Sequence, residues 1–411
     1  MTAARPTAAR SNFAVVAVMA LGFGLVGIDR FLISTLYPVI ARDLDLGYGD
    51  IGTITGVLAV AWGIAALFMG RLSDRIGRRY VLVGALIIFS LLIGASGLAS
   101  GLFGLVLVRI FMGFADGAFA PASISATLEA SPPAKQGRNI GFQQMTLTLF
   151  GLGLAPLIVA ELLHVINWRW IFSLFVIPGL LLAWATWRII PPTVQRSDYA
   201  DLDSVQSWRA ALGYHNVPIL MIGMFCWLTC LITTSAFMPS YLMDHLKLGF
   251  EPMGRIMSAI GFGAAAGTLL LPWLSDSIGR KPVMLISTAG AFGALILLSS
   301  LGPDMTALFW ALFLVHFFNN ALITLTVGPI CSESVPVGLT ATASGVVIAV
   351  GELAGGGLTP ILAGQFAEIF GIDHLLWLPM ASLGAGFLIC LLALRETRGR
   401  GADHIQEEFA R

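Results

Sequence analysis

Twelve long stretches of apolar residues dominate this chain of 411 residues and leave mostly short polar loops between them. A helix that crosses a bilayer needs about 20 such residues, because every backbone polar group in the hydrocarbon core must be hydrogen-bonded within the chain. Only 11% of the residues are charged, against about 25% in a soluble domain. We therefore predict an all-α membrane protein without a sizeable soluble domain. The predicted spans are 13–41, 51–71, 80–99, 102–131, 138–163, 169–189, 217–245, 252–275, 282–300, 304–332, 338–369 and 374–394.

The positively charged residues indicate how the chain is oriented. If both termini lie in the cytoplasm, 17 of the 23 Lys and Arg residues fall on the cytoplasmic side, and Arg30 and Arg109 lie within spans. The four on the opposite side are Arg42, Arg169, Lys247 and Arg255. This asymmetry follows the positive-inside rule. We expect a multi-pass protein of the inner (plasma) membrane with both termini in the cytoplasm.

The chain contains an internal repeat. The segment LSDRIGRR at 72–79 returns as LSDSIGRK at 274–281, and EASP at 129–132 returns as ESVP at 333–336. Two halves of six spans in parallel repeat are expected to place a substrate cavity between them, near the bilayer midplane. The predicted organisation is a first bundle over 1–190, a cytoplasmic linker over 191–216 with a short surface helix around Trp208, and a second bundle with a short tail over 217–411.

The segment GRLSDRIGRR at 70–79 resembles the signature of the major facilitator superfamily, which lies between the second and third spans. With its second copy and the number of spans, the resemblance covers the whole chain and implies two pseudo-symmetric six-helix bundles that work by alternating access. In the family this loop latches a gate: its Asp caps a neighbouring helix end and its arginines pair with acids of the other half. The alternative is a solvated turn that only sets the orientation. The resemblance implies these gating residues: Gly70, Asp74, Arg75, Gly77, Arg78, Asp276 and Arg280.

A finer resemblance lies in the charges within the spans. The first span contains Asp29 and Arg30, and the fourth contains Arg109 and Asp116, seven residues apart. This pattern is similar to that of the anion:cation symporters, a group that includes bacterial permeases for sugar acids and aromatic acids and relatives of sialin. The resemblance implies that Arg30 binds the carboxylate of the substrate, that Asp29 and Asp116 carry protons, and that Arg109 tunes the site. Lipid-exporting Spinster-like members share a similar pattern, so it does not determine the substrate.

Physical chemistry leads to the same residues. An ionised side chain at mid-membrane costs about 2.5–3.5 kcal/mol on insertion scales, so such residues tend to be paired and functional. Arg109 and Asp116 share a helix face but lie about 10.5 Å apart along the axis, so each needs a partner elsewhere. An anion that arrives at Arg30 would neutralise this arginine and favour protonation of Asp29 or Asp116, which couples the two ligands. The alternative is a network of salt bridges that only holds the bundle together.

Other polar and aromatic residues within the spans are weaker candidates, because they can also bond or pack against neighbouring helices. His316 and Asn319 lie in a polar stripe of the tenth span, and a lone His is more often a hydrogen-bonding partner than a proton relay. Glu352 precedes three glycines and a proline, where a helix bends easily, and its role stays open like that of His316. The candidate substrate-binding residues besides Arg30 are Gln143, Gln144, Asn320, Tyr37 and Trp227.

Several classes of function are disfavoured. The four cysteines lie inside apolar segments without His or carboxylate residues at metal-ligand spacing. The glycine strings around Gly151 and Gly263 lie in mid-span, where small residues let helices approach, and no Gly-Lys-Ser/Thr phosphate loop is present. We expect no metal, no cofactor, no enzymatic activity and no nucleic-acid partner, and a monomer that suffices for function in the lipid bilayer.

The leading prediction is proton-coupled uptake of a small organic anion, a carboxylate. The alternatives are a proton antiporter that exports drugs or amphiphiles, a lysolipid exporter, and a sensor that does not transport. Drug antiporters of the superfamily usually show a Gly-Pro dipeptide near the end of the fifth span. Here that region, 151–158, reads GLGLAPLI without the dipeptide, which favours uptake.

Overall fold

The computed structural model describes residues 7–132, 135–191, 209–336 and 339–397. Within these ranges it is all-α and contains 12 helices that are long and apolar enough to cross a membrane, so the predicted class and number of spans are confirmed. We number these spans α1 to α12. They are α1 Phe13–Leu44, α2 Tyr48–Ala66, α3 Arg78–Ser96, α4 Leu102–Glu129, α5 Arg138–Leu162, α6 Trp168–Ile189, α7 Asn216–His245, α8 Phe250–Ile278, α9 Arg280–Ser300, α10 Met305–Ser334, α11 Thr342–Phe370 and α12 Ile372–Leu392.

The residues group into two compact units. Unit 1 contains 1–46 and 57–198, and unit 2 contains 47–56 and 199–411. The predicted linker over 191–216 stays a prediction. Most of that linker, 192–208 with Trp208, lies outside the described residues, and its described part is helical at 209–212.

Glycines bring the helices of unit 1 into backbone contact. A Cβ atom at Gly27 of α1 would overlap the carbonyl oxygen of Leu147 of α5, and one at Gly151 of α5 would overlap the carbonyl oxygen of Gly27. In the same way, Gly113 of α4 packs on the carbonyl oxygen of Leu58 of α2. These approaches require residues without side chains. They draw α1 and α4, which carry the buried charges, tightly into the unit.

Unit 2 uses the same device between α8 and α10. A Cβ atom at Gly263 would overlap the carbonyl oxygen of Phe313, and one at Gly267 would overlap that of Phe317. The glycine string of α8 therefore packs helices, as predicted.

The repeat is visible in the backbone of the two units. Gly77 ends the helix that continues α2, and Gly279 ends α8, with φ angles of 96° and 108°. This left-handed region costs little for glycine and more for other residues. Each unit therefore turns from its second to its third helix through an equivalent glycine.

Two of the spans contain equivalent π-helical segments. One is Leu149–Leu154 in α5 and the other is Gly351–Leu358 in α11, and Pro156 and Pro360 follow them. Such segments are frequent at functional sites because they redirect side chains within a helix. Glu352, whose role the sequence left open, lies in the second segment and is 9% exposed.

Candidate functional site

Unit 1 buries a cluster of four charged residues on α1 and α4, which we call the charged seam. Asp29 and Arg30 come from α1, and Arg109 and Asp116 come from α4. Asp29 and Asp116 are fully buried, Arg109 is 1% exposed, and Arg30 is half-buried. The structure thus brings all four predicted residues into one unit, and their formal charges cancel.

Arg109 joins α4 to α1. Its Nη1 atom donates a hydrogen bond of 2.8 Å to the backbone carbonyl oxygen of Asp29 and lies 3.8 Å from Asp29 Oδ1. The sequence excluded Asp116 as a direct partner, and the structure supplies the partner from the other helix. The Nε and Nη2 atoms of Arg109 are buried without a hydrogen-bond partner among the described residues.

The two aspartates are the least satisfied groups of the seam. All four of their carboxylate oxygens are buried without a hydrogen-bond partner in the part of the chain that the structure describes. Asp116 interacts electrostatically with Asp29, Arg30 and Arg109. Buried polar atoms are nearly always hydrogen-bonded, so a group of unsatisfied oxygens marks a place suited to a proton, a water molecule or a ligand.

Arg30 makes cation–π contacts with two aromatic rings. Its guanidinium carbon lies 4.8 Å from the ring centroid of Trp62 of α2 and 5.8 Å from that of Phe31. A planar guanidinium can bind a carboxylate through two parallel hydrogen bonds. Tyr37, the predicted aromatic contact on α1, lies two turns further along the helix and is 1% exposed.

The two predicted glutamines of α5 differ in their surroundings. Gln143 is fully buried and bonds α4: its Oε1 accepts from Thr127 Oγ1 at 2.6 Å, and its Nε2 donates to Ser123 Oγ at 2.9 Å. Gln144 is exposed. Gln143 therefore links helices, and any contact with a ligand would use the remaining hydrogen-bonding capacity of its amide.

The two remaining substrate-binding candidates lie inside unit 2. Trp227 of α7 is fully buried, and its Nε1 donates to Thr326 Oγ1 at 3.2 Å. Asn320 of α10 is 5% exposed, and its Nδ2 donates to the carbonyl oxygen of His316 at 3.2 Å. Both side chains have partners within their own unit.

The loop between α2 and α3 contains several predicted gating residues. Gly70, Asp74 and Arg75 lie on the helix that continues α2, but their side chains are outside the description. Arg78 forms an ion pair with Glu129 at the end of α4. This pair ties the loop to the fourth helix of the same unit.

The equivalent loop of unit 2 shows the same arrangement. Arg280 Nη2 donates to Glu333 Oε1 at 2.7 Å, and its Nη1 donates to Asp276 Oδ1 at 2.5 Å. Glu333 is the repeat equivalent of Glu129. The resemblance led us to expect arginines that pair with acids of the other half, whereas the pairs of Arg78 and Arg280 described here lie within their own units.

Glu396, which follows α12, was not among the predicted residues. Its Oε1 accepts from the backbone N–H of Arg280 and its Oε2 from that of Lys281, both at 2.9 Å. A carboxylate at a helix N-terminus satisfies unpaired N–H groups and interacts favourably with the helix dipole. At α9 the capping carboxylate therefore comes from the segment that follows the last helix. In the sequence Glu396 is an acidic residue among basic ones, and no sequence pattern indicates that it caps the N-terminus of α9.

The sequence model of the Major Facilitator Superfamily matches residues 19–356, which include the charged seam and the repeated loops. The chain belongs to the major facilitator superfamily. It is accordingly a multi-pass membrane protein and a secondary transporter, and the superfamily is not enzymatic. The predicted family and the predicted absence of enzymatic activity are confirmed.

Curated members of the superfamily resemble this chain over most of its length. The sialic acid transporter NanX of Escherichia coli K12 is 26% identical over 376 residues, which are 89% of this chain and 90% of the relative. The gentisate transporter of Corynebacterium glutamicum is 24% identical over 392 residues, 90% of this chain and 85% of the relative. The probable L-galactonate transporter of E. coli K12 is 28% identical over 322 residues, 72% of this chain and 71% of the relative.

Solved structures show the same fold. A bacterial homologue of the human lysosomal transporter Spinster, in an inward-facing and occupied conformation, has a TM-score of 0.78 at 19% identity, covering 95% of this chain and 97% of that one. The nucleoside transporter NupG also has a TM-score of 0.78, at 14% identity, covering 94% of this chain and 100% of that one. At these identities the likeness establishes the superfamily fold alone.

Proposed function

We propose that this transporter is a proton-coupled symporter that takes up a small organic anion, a carboxylate. The observation that carries the proposal is the charged seam of unit 1. It combines the guanidinium groups of Arg30 and Arg109, which suit a carboxylate, with the carboxyl groups of Asp29 and Asp116, which can carry protons. Arg30 would bind the anion, and Arg109 would tune the site through Asp29.

The charges of the seam favour loading the anion and the proton together. The two arginines and two aspartates together carry no formal net charge. Binding of the anion alone would therefore give the seam a net negative charge, and binding of the proton alone would give it a net positive charge. Either net charge is costly in a low-dielectric interior. Both ligands together restore neutrality. Each ligand therefore promotes binding of the other, and this mutual effect is the coupling that symport needs.

The relatives support an organic anion as the substrate. Their names refer to sialic acid, gentisate and L-galactonate, and a further relative from Bacillus subtilis is named a hexuronate transporter. All four compounds are carboxylates. We propose the same chemical class for this chain, with Gln143, Gln144, Asn320, Tyr37 and Trp227 as candidates for specificity.

The proposed location is the inner membrane with both termini in the cytoplasm. The distribution of Lys and Arg supports this orientation. In this orientation the loops with the pairs Arg78–Glu129 and Arg280–Glu333 face the cytoplasm. We propose that these loops take part in gating.

Uptake into proteoliposomes under an inward proton gradient tests the proposal. The panel contains sugar acids, aromatic acids, dicarboxylates and amino acids. We expect concentrative uptake of one class of carboxylate that a protonophore collapses and that Arg30→Ala abolishes. Arg42→Ala is the matched control, because Arg42 lies on the same helix but is exposed, and it should transport like the wild type.

Two results would contradict the proposal. Concentrative uptake that survives in Arg30→Ala would remove this arginine from the anion site. A wild-type protein that takes up no acid, but exchanges protons against a lipophilic cation or a lysolipid, would be an exporter.

A further inference from the structure

Unit 2 contains a line of neutral polar side chains between α7 and α10, which we call the neutral seam. Trp227 Nε1 donates to Thr326 Oγ1, and Asn319 Nδ2 donates to the carbonyl oxygen of Trp227 at 3.1 Å. Further along, Thr234 Oγ1 lies 3.0 Å from His316 Nε2. All five residues are buried, four of them fully. The neutral seam is therefore polar over its whole length, and its side chains are buried.

The hydrogen bonds of Thr234 determine the tautomer of His316. The hydroxyl of Thr234 has one hydrogen, and its nearest acceptor is the carbonyl oxygen of Cys230 at 2.6 Å. Thr234 Oγ1 therefore accepts a hydrogen bond from His316, so Nε2 of the neutral ring carries the hydrogen. The other ring atom, Nδ1, is then a bare acceptor. It is buried and has no hydrogen-bond partner among the described residues.

Asn319 presents a second bare acceptor. The carbonyl oxygen of Trp227 can only accept, so the NH₂ group of the Asn319 amide must face it. This orientation leaves Asn319 Oδ1, which is also buried without a partner in the described part of the chain. Asn319 follows His316 by three residues, so the two side chains are neighbours on one face of α10.

We propose that His316 and Asn319 bind hydroxyl groups of the transported anion, which makes the substrate a hydroxylated carboxylate. The inference rests on the proposed anion symport but assigns a role to residues outside the charged seam. Two neutral acceptors one helical turn apart suit a ligand with neighbouring O–H donors. An apolar ligand group in the same place would leave both acceptors unsatisfied, and sites built this way reject analogues that lack the hydroxyl.

Matched ligands test the preference of the wild-type protein. The polyhydroxylated acids gluconate, galactonate and glucuronate are compared with hexanoate and cyclohexanecarboxylate, which have six-carbon frameworks or rings but no hydroxyl group. Binding is measured on the purified full-length protein by ligand-induced thermal stabilisation and by inhibition of uptake. We expect at least one hydroxylated acid to bind about tenfold or more tightly than its unsubstituted counterpart.

Two substitutions of His316 separate its two ring nitrogens. His316→Gln places an amide N–H near the position of Nε2 and removes the Nδ1 acceptor, whereas His316→Asn places an acceptor near Nδ1 and removes the donor to Thr234. We expect His316→Gln to lose the preference for the hydroxylated acid while it binds hexanoate like the wild type. His316→Asn should keep the preference.

The outcomes separate this inference from the proposed function. A preference that is unchanged in both variants would overturn the inference and would mean that the acceptors hold water. Equal loss in both variants would also overturn it, because the ring would then only support the fold. If the wild-type protein concentrates carboxylates but does not prefer hydroxylated ones, the proposed anion symport stands and the hydroxyl site is ruled out. If the wild-type protein binds no carboxylate, both proposals are overturned.

Discussion

The two units place different chemistry at equivalent positions. The first and fourth helices of unit 1, α1 and α4, carry the charged seam, with Asp29, Arg109 and Asp116 buried. Their repeat equivalents in unit 2, α7 and α10, carry the neutral seam, in which His316 and Asn319 each have an acceptor without a partner among the residues that the structure describes. The buried groups without hydrogen-bond partners among the described residues of the charged seam belong to ionisable aspartates and an arginine, whereas those of the neutral seam belong to an amide and a neutral imidazole.

We propose that this difference reflects a division of labour within one repeated fold. A buried charge changes its energy strongly with each proton or ion that binds, so a charged seam suits energetic coupling. A neutral acceptor responds weakly to charge but strongly to the shape and donors of a ligand, so a neutral seam suits selection. The turns at Gly77 and Gly279 and the pairs of Arg78 and Arg280 are kept in both units, so the repeat preserves the framework while the seams differ.

Asp116→Asn should produce the largest functional effect. The amide keeps the shape of the side chain but removes the proposed proton carrier, so uptake driven by a proton gradient should fall to the level of empty liposomes. Exchange of labelled for unlabelled substrate should persist, because Arg30 is unchanged. The control is Asp45→Asn, because Asp45 is exposed and its φ of 53° suits asparagine. Proton-driven uptake at the wild-type rate in Asp116→Asn would show that coupling does not use the charged seam.

Arg109→Met should produce the largest loss of stability. It leaves the buried carboxylate of Asp29 without its ion-pair partner, which costs about 3–5 kcal/mol when one member of a buried pair is removed. Adding Asp29→Asn should recover most of this loss without restoring proton-driven uptake. Thermal unfolding in detergent measures both effects. If the double variant unfolds no later than the single one, the contact between Arg109 and Asp29 does not act as a pair.

Arg30→Lys should weaken substrate binding while keeping the charge. Lysine cannot reproduce the planar fork that a guanidinium offers to a carboxylate. Loss of a hydrogen bond to a charged group is worth about 1.5–3 kcal/mol, so KM should rise by about 10- to 140-fold. Initial rates over a range of substrate concentrations measure this rise, and the same proton dependence should remain at saturation. A KM equal to that of the wild type would mean that Arg30 provides only its charge.

Trp227→Phe should produce the smallest effect. It removes the neutral hydrogen bond from Nε1 to Thr326, which is worth about 0.5–1.5 kcal/mol in unfolding free energy, and it adds the cost of the small cavity that the phenyl ring leaves. Trp170→Phe is the control, because Trp170 is 69% exposed and should unfold like the wild type. Proton coupling should be unchanged in both variants. A loss of coupling in Trp227→Phe would place coupling in unit 2 and reverse the comparison between the seams.

The sequence predicted the spans well and the contacts of the site less well. The ends of α4 and α5 were predicted to within a few residues, because a long apolar stretch bounded by polar residues directly reflects the bilayer. The four charged residues of the seam were also visible, since few charges occur within spans. The partner of Arg109 was not predicted, because α1 and α4 are 80 residues apart at this contact. Glu396 was missed for the same reason, since it caps a helix that starts 116 residues earlier.

The sequence by itself determined the class, the twelve spans, the repeat and the list of charged candidates, because a membrane imposes strong local rules on composition and length. Only the tertiary structure decided which groups are satisfied. It showed that Arg109 bonds Asp29, that Gln143 bonds α4, and that no described residue donates a hydrogen bond to Nδ1 of His316 or Oδ1 of Asn319. Hydrogen bonding depends on atoms from helices that are distant in the chain, and no local pattern of residues contains that information.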